Sequence, residues 1–231
     1  MILSLFPGIG LLDRAFELEG FCVVRGPDVI WGGDVRAFHP PPGVFAGVIG
    51  GPPCQSFSPL ANLGRAKGFE PRFGNLIPEF ERVVRAAAPR WFLMENVRGA
   101  PVPVVEGYAV RTFLLCNSSL GERQKRLRRW SFGVRGETRL DLRSYIDLAP
   151  LKLPRSEQTL TVTGRNSGEK SPKGGRFENF TLAEMLVLQG LPSDYLEHCP
   201  FTANGKRKAI GNGVPIPMGR ALARAVLEAT R

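Results

Sequence analysis

The sequence predicts an α/β fold built on a mostly parallel sheet, and three observations carry that reading. Short apolar runs alternate with amphipathic stretches along the first hundred residues. The first run, Met1–Phe6, ends in Pro7-Gly8-Ile9-Gly10 directly before an amphipathic stretch, the pattern of strand, tight turn and helix. Strands that alternate with helices pair in parallel, because each crossover returns the chain to the same edge. The 231 residues suit one such domain with at most a small appended lobe, and 43% hydrophobic content is enough for its core.

Each element follows in order. Leu11–Glu19 is read as a helix with Leu11, Leu12, Ala15, Phe16 and Leu18 apolar. Phe21–Val24 and Val44–Ile49 are read as buried strands. Residues 51–74, rich in Gly, Pro, Ser and Asn, are read as a long loop, which in a compact domain is often functional. Leu76–Ala88 is a helix that carries a proline in its first turn, where no N–H is needed. Trp91–Met94 is a buried strand that delivers Glu95-Asn96 to its end. Tyr108–Leu115 and Leu127–Val134 fit strands, whereas Thr138–Ser171 is polar and punctuated by Pro and Gly. Thr181–Gln189 is a helix, with Thr181 at the N-cap and Glu184 at the capping-box spacing. Pro217–Ala229 is the terminal helix.

Composition narrows the partners. The formal net charge is +10, and it is concentrated: residues 121–180 hold 14 Lys/Arg against 7 Asp/Glu, residues 1–60 only 3 against 5. A basic segment on a near-neutral core points to a polyanion, with a solvated basic surface as the plain alternative. No run is long and apolar enough to span a membrane, and the N-terminal run has no basic region before it, so no signal peptide is expected. Cys22, Cys54, Cys116 and Cys199 lie far apart without metal-ligand spacing. A cytoplasmic protein with reduced thiols, and no metal, is therefore expected.

Two places carry chemistry. Val48–Ser58 sets Cys54 just beyond a strand, behind Pro52-Pro53 and Gly50-Gly51, at the sheet edge where open α/β sheets bind ligands. A rigid thiol there is a candidate nucleophile, whereas Cys22 and Cys116, inside apolar runs, read as small hydrophobes. Glu95 arrives at the same edge as either a solvated strand end or a catalytic acid. Gly8 and Gly10 let the backbone turn sharply and a ligand come close. Asp28 and Asp34 are candidates to hold a ribose or an amino group, or else simple turn caps.

These residues together resemble the C5-cytosine DNA methyltransferase family along the whole chain. Leu5-Phe6-Pro7-Gly8-Ile9-Gly10 resembles its cofactor turn, and Gly51–Ser58 (Gly-Pro-Pro-Cys-Gln-Ser-Phe-Ser) its nucleophile loop. Met94-Glu95-Asn96-Val97, Gln124-Lys125-Arg126-Leu127-Arg128, Leu188–Pro192 and Gly211–Ile216 resemble its later motifs in the family's order. The resemblance implies a Rossmann-like sheet of the class I methyltransferase type with a minimal target-recognition lobe. It divides the chain into a catalytic and cofactor-binding core (1–134), a reduced recognition region (135–180) and a C-terminal segment (181–231). It implies S-adenosyl-L-methionine as cofactor, S-adenosyl-L-homocysteine as product, double-stranded DNA as partner, and a monomer that leaves room for a recognition partner.

The same resemblance assigns roles. Cys54 attacks C6 of a flipped cytosine; Glu95 binds its N3/N4 edge; Arg128 holds O2; Arg126 and Gln124 assist. The loop over about 56–74 closes on the base. Phe6, Gly8, Gly10, Asp34, Pro53, Leu76, Asn212 and Val214 contact the cofactor. Asp28 is the best substitute for the family's ribose acid, because Phe21–Asp34 is short and lacks the usual helix. Leu11 stands where the family has glycine. Only about 25 residues, Val134–Gln158, remain for recognition, so a short or relaxed site is expected, with Arg135, Arg139, Arg143, Lys152, Arg155, Arg165, Lys170, Lys173 and Arg176 able to contact phosphates. An RNA methyltransferase of the same fold and a non-catalytic DNA-binding homologue are the alternatives.

Overall fold

The computed structural model describes residues 1–53, 74–136, 138–145, 157–158 and 180–230. Six strands form the main sheet: β1 (Ile2–Leu5), β2 (Val23–Arg25), β3 (Gly47–Gly50), β4 (Trp91–Asn96), β5 (Ala109–Cys116) and β7 (Leu127–Val134), in the order β2-β1-β3-β4-β7-β5. Four neighbours, β2 through β4, are parallel, and only β7 runs against the rest. β6 (Gln124–Lys125) pairs in parallel with β8 (Glu157–Gln158) as a separate two-stranded ladder.

Helices cover both faces. Strand side chains alternate, so Ile2, Ile49, Trp91 and Leu93 face one side and Leu3, Val48, Phe92 and Met94 the other. The first face packs on α1 (Leu11–Leu18) and α5 (Ile216–Ala229) through Leu12, Phe16, Met218, Leu222 and Val226. The second packs on α2 (Ile77–Ala87) through Ile77, Phe80, Val83, Val84 and Ala87. Each large apolar side chain fully buried this way contributes about 1.5–3 kcal/mol. Next to α1, a third cluster gathers α3 (Leu182–Leu188) and α4 (Ala203–Asn212) around Leu11 and Ile216.

The expected capping box is present: Thr181 accepts from the Glu184 N–H at 3.2 Å and the Glu184 carboxylate accepts from the Thr181 N–H at 2.7 Å. Two expectations fail. The strand expected buried at Phe21–Val24 forms as Val23–Arg25 on the sheet edge, with Val24 and Arg25 exposed. Cys22, expected inside, is exposed for the same reason, since an edge strand has no neighbour beyond it. Helix α4 was not foreseen: Ala203-Asn-Gly-Lys-Arg-Lys-Ala-Ile-Gly-Asn has two glycines and hardly any apolar face. Among the described residues no helix is long and apolar enough to cross a membrane.

Candidate active site

Adjacent strand ends build one edge. β1 runs into Phe6–Gly10, β3 into Gly51-Pro52-Pro53, and β4 ends in Glu95-Asn96. β7 begins at that edge because it runs antiparallel to β4, with Arg129 opposite Asn96 and Trp130 opposite Glu95. Arg128 therefore stands just beyond the end of β4. Its Nε lies 2.7 Å from Glu95 Oε1, and the two side chains are only 15% and 12% exposed. Such a shielded, charge-assisted bond fixes both groups in place. A Cβ on Gly51 would sit 3.2 Å from Glu95 Oε2, so this glycine keeps that side of the carboxylate open. Asn96 Nδ2 donates to the Pro52 carbonyl at 3.3 Å and ties the proline segment to β4. Cys54, the next residue but one, lies outside the described residues, as does the expected closing loop up to residue 73.

The remaining motif residues serve the C-terminal segment. The Arg126 N–H donates to the Gln124 carbonyl at 3.1 Å, a two-residue turn that separates β6 from β7. Arg126 and Arg128 therefore do not share a strand face. Arg126 is buried and donates to the carbonyls of Gly211 (3.0 Å) and Asn212 (3.4 Å), instead of meeting Glu95 as Arg128 does. Gln189 adds a second brace, with Nε2 donating to Ile210 at 2.7 Å. Gln124 is buried, and its amide has no hydrogen-bond partner among the described residues.

The cofactor candidates gather at the other end of the edge. A shallow depression, open to solvent, is lined by Phe6, Asp28, Asp34, Pro53 and Leu76. Pro27, Val29, Gly33, Val35 and Arg36 line it too, and sequence reasoning missed them; their only signal was their place beside the two aspartates. Gly8 and Gly10 shape the turn at φ 58° and 77°, and Phe6 holds φ 55°, a conformation unfavourable for an aromatic residue. Asn212 is exposed and Val214 is buried in the core; neither lines this depression. Leu11 is accommodated because Gly213 has no side chain: a Cβ there would lie 2.4 Å from Leu11 Cδ1.

The two aspartates differ in their bonds. Asp34 Oδ1 accepts from the Arg36 N–H at 2.9 Å and from Arg36 Nε at 3.1 Å, and these bonds hold its carboxyl below the usual range. Asp28 spends both oxygens on backbone, Oδ2 on the Gly8 N–H at 2.8 Å and Oδ1 on the Ile30 N–H at 2.9 Å. Behind the turn, Asp13 is fully buried and bonds Ser4 and Arg25; burial pushes its carboxyl up against those bonds. Among the arginines expected to contact phosphates, Arg135 stacks over the Tyr108 ring at 5.0 Å. Arg143 pairs with Asp141, whose carboxyl it lowers to about 2. Lys152, Arg155, Arg165, Lys170, Lys173 and Arg176 lie outside the described residues.

Sheet order and helix placement of this kind define a class I methyltransferase fold. Solved structures share it: the Entamoeba histolytica methyltransferase EhMeth superposes with TM-score 0.67 at 12% identity, covering 100% of this chain and 98% of that one. An S. pombe Dnmt2 methyltransferase does so with TM-score 0.68 at 12% identity, covering 100% and 99%. Within that class, residues 34–102 match the family model of C-5 cytosine-specific DNA methylase, a span that holds Asp34, the Pro-Pro-Cys-Gln loop and Glu95. The type II methyltransferase M.NgoPII of Neisseria gonorrhoeae is 34% identical over 116 residues, 42% of this chain and 33% of that protein. M.AquIA of a Picosynechococcus strain is 37% identical over 123 residues, 42% and 48%. This part of the chain is thus similar to C5-cytosine methyltransferases. The aligned stretch spans a third to a half of these curated relatives.

Proposed function

We propose that the protein transfers a methyl group from S-adenosyl-L-methionine to C5 of cytosine in DNA. The observation that carries this is the shielded Glu95–Arg128 pair beside Gly51, three residues before Cys54. A cytosine ring is unreactive at C5 until a nucleophile adds at C6. In this reading the Cys54 thiolate makes that bond. Glu95 hydrogen-bonds the N3/N4 edge, which eases the attack, while Arg128 steadies both Glu95 and O2. The cofactor supplies an electrophilic methyl group. Loss of the C5 proton and departure of Cys54 then restore the ring. C6 is shielded inside a duplex, so the base must leave the stack.

The residues present fit the cofactor. Among the described residues nothing stands within 4 Å of where a Gly8 side chain would be, Phe6, Pro53 and Leu76 offer apolar surface, and Asp34 is an ionised acceptor. The test incubates the protein and C54A with labelled S-adenosyl-L-methionine and either unmethylated genomic DNA or total RNA, then maps 5-methylcytosine by bisulfite sequencing. Label in DNA with the native protein and none with C54A is expected, at short or relaxed sites. Label in RNA alone overturns DNA as the substrate; none in either overturns the enzyme.

A further inference from the structure

The segment between β2 and Asp34 is short, yet it bonds both polar groups of Gly8. Asp28 takes the Gly8 N–H, and the Trp31 indole N–H donates to the Gly8 carbonyl at 2.8 Å. The turn 28–33 is itself closed, with the N–H groups of Trp31 and Gly33 both donating to the Asp28 carbonyl at 3.0 Å. Trp31 does not line the depression, so this bond is not part of its wall. Its ring instead packs on Phe201, with centroids 5.3 Å apart and planes at 34°. Phe201 directly precedes Thr202, the N-cap of α4, whose far end is Asn212. One side chain therefore joins the glycine turn to the C-terminal segment. It does so from an exposed position, with the side of Gly8 that a Cβ would fill left open.

We propose that Trp31 is a positioning residue for the cofactor turn: its N–H holds the Gly8 carbonyl while its ring, seated on Phe201, anchors the turn to the C-terminal segment. This rests on the methyltransferase reading of the site. A left-handed glycine is the most mobile kind of turn residue, and clamping both ends of it removes conformations that a ligand would otherwise have to select against. The benefit falls on cofactor binding, not on the chemical step at the opposite end of the edge.

W31F keeps a ring for Phe201 and removes the donor; F201A keeps the donor and removes the seat. Binding of S-adenosyl-L-homocysteine is measured by calorimetry, and transfer at saturating cofactor by the label assay. Loss of one hydrogen bond predicts roughly a five- to tenfold weaker Kd for W31F, with kcat within about twofold and an unchanged melting temperature. F201A shifts Kd in the same direction. Trp91 and Trp130 are buried, so the red edge of the emission reports on Trp31, and F201A is expected to move it. W31F binding as tightly as the native protein overturns the clamp alone. Failure of the native protein to bind the ligand overturns the cofactor reading and the clamp with it.

Discussion

The two ends of the candidate site are built differently. At the β4/β7 end, a carboxylate and a guanidinium meet directly in a shielded position. At the β1 end, Asp28 and Asp34 bond mainly to backbone N–H groups in the open, and the surface is shaped by Gly8, Gly10 and Phe6. A charge pair removed from water is strong and directional, which suits a group that must meet one atom of a substrate. Backbone bonds and a strained turn set a shape, which suits a ligand held over a wide area. Damage at the first end should therefore appear in turnover, and at the second in affinity.

The sharpest contrast is between E95Q and D34N. E95Q is expected to lower kcat about a hundredfold or more while cofactor Kd stays within about twofold, because it removes the carboxylate that pairs with Arg128 and meets the base. D34N is expected to weaken S-adenosyl-L-homocysteine about tenfold with little change in kcat; a kcat loss equal to that of E95Q would erase the distinction. The bonds from Arg36 hold Asp34 below the ordinary carboxylate range, so it stays charged throughout neutral and mildly acid pH. Its contribution to cofactor affinity should be flat from pH 8 to 5 and fall only below the usual carboxylate value.

Two arginines in one motif offer the next test. R128A should abolish most turnover. R126A removes a buried, charged donor to the carbonyls of Gly211 and Asn212 and should cost about 2–4 kcal/mol of stability. At 2–4 °C per kcal/mol for a chain of this size, its melting temperature should drop by roughly 4–16 °C. A melting temperature for R126A equal to that of the native protein would show that Arg126 does not brace the C-terminal segment.

Asp28 gives a finer split. A clamp on Gly8 predicts that D28N weakens S-adenosyl-L-homocysteine and its ribose-deoxy analogue by the same factor. A ribose acceptor predicts that the native protein alone distinguishes the two ligands.

The smallest effect lies outside both ends, where Glu19 joins α1 to α5 through Arg220 (2.6 Å) and Arg224 (2.8 Å). Burial alone would raise its carboxyl, but the bonds from Arg224 and Arg220 outweigh burial and lower it. A lowered acid stabilises above its unfolded value, near 4.5, and loses that contribution as pH falls through the folded value. E19Q should cost no more than about 1 kcal/mol at pH 7, since both arginines are partly exposed, and the difference from the native protein should vanish in acid. Urea melts at pH 7 and pH 3.5 measure it.

Much of this was legible in residue order. Apolar periodicity placed β1, α1, β3, α2, β4, α3 and α5, and the capping box at Thr181 appeared as read. Local rules fix such elements because the side chains that decide them are neighbours in the chain. Pro52-Pro53, which lead into the motif cysteine, and Glu95 also had to lie near one edge once the strands were parallel. Other features depended on distant partners. Val23–Arg25 is exposed because nothing lies beyond it in the sheet, and apolar content cannot report a missing neighbour. Gly-rich, polar α4 is a helix because Ile210 and its surroundings pack under α1 and α3, overriding weak propensity. Arg126 and Arg128 read alike, two residues apart, but a turn at Arg126 sends one to the C-terminal carbonyls while an antiparallel strand brings the other to Glu95. The residue types are set by sequence, but strand direction and long-range packing decide which atom each charge meets.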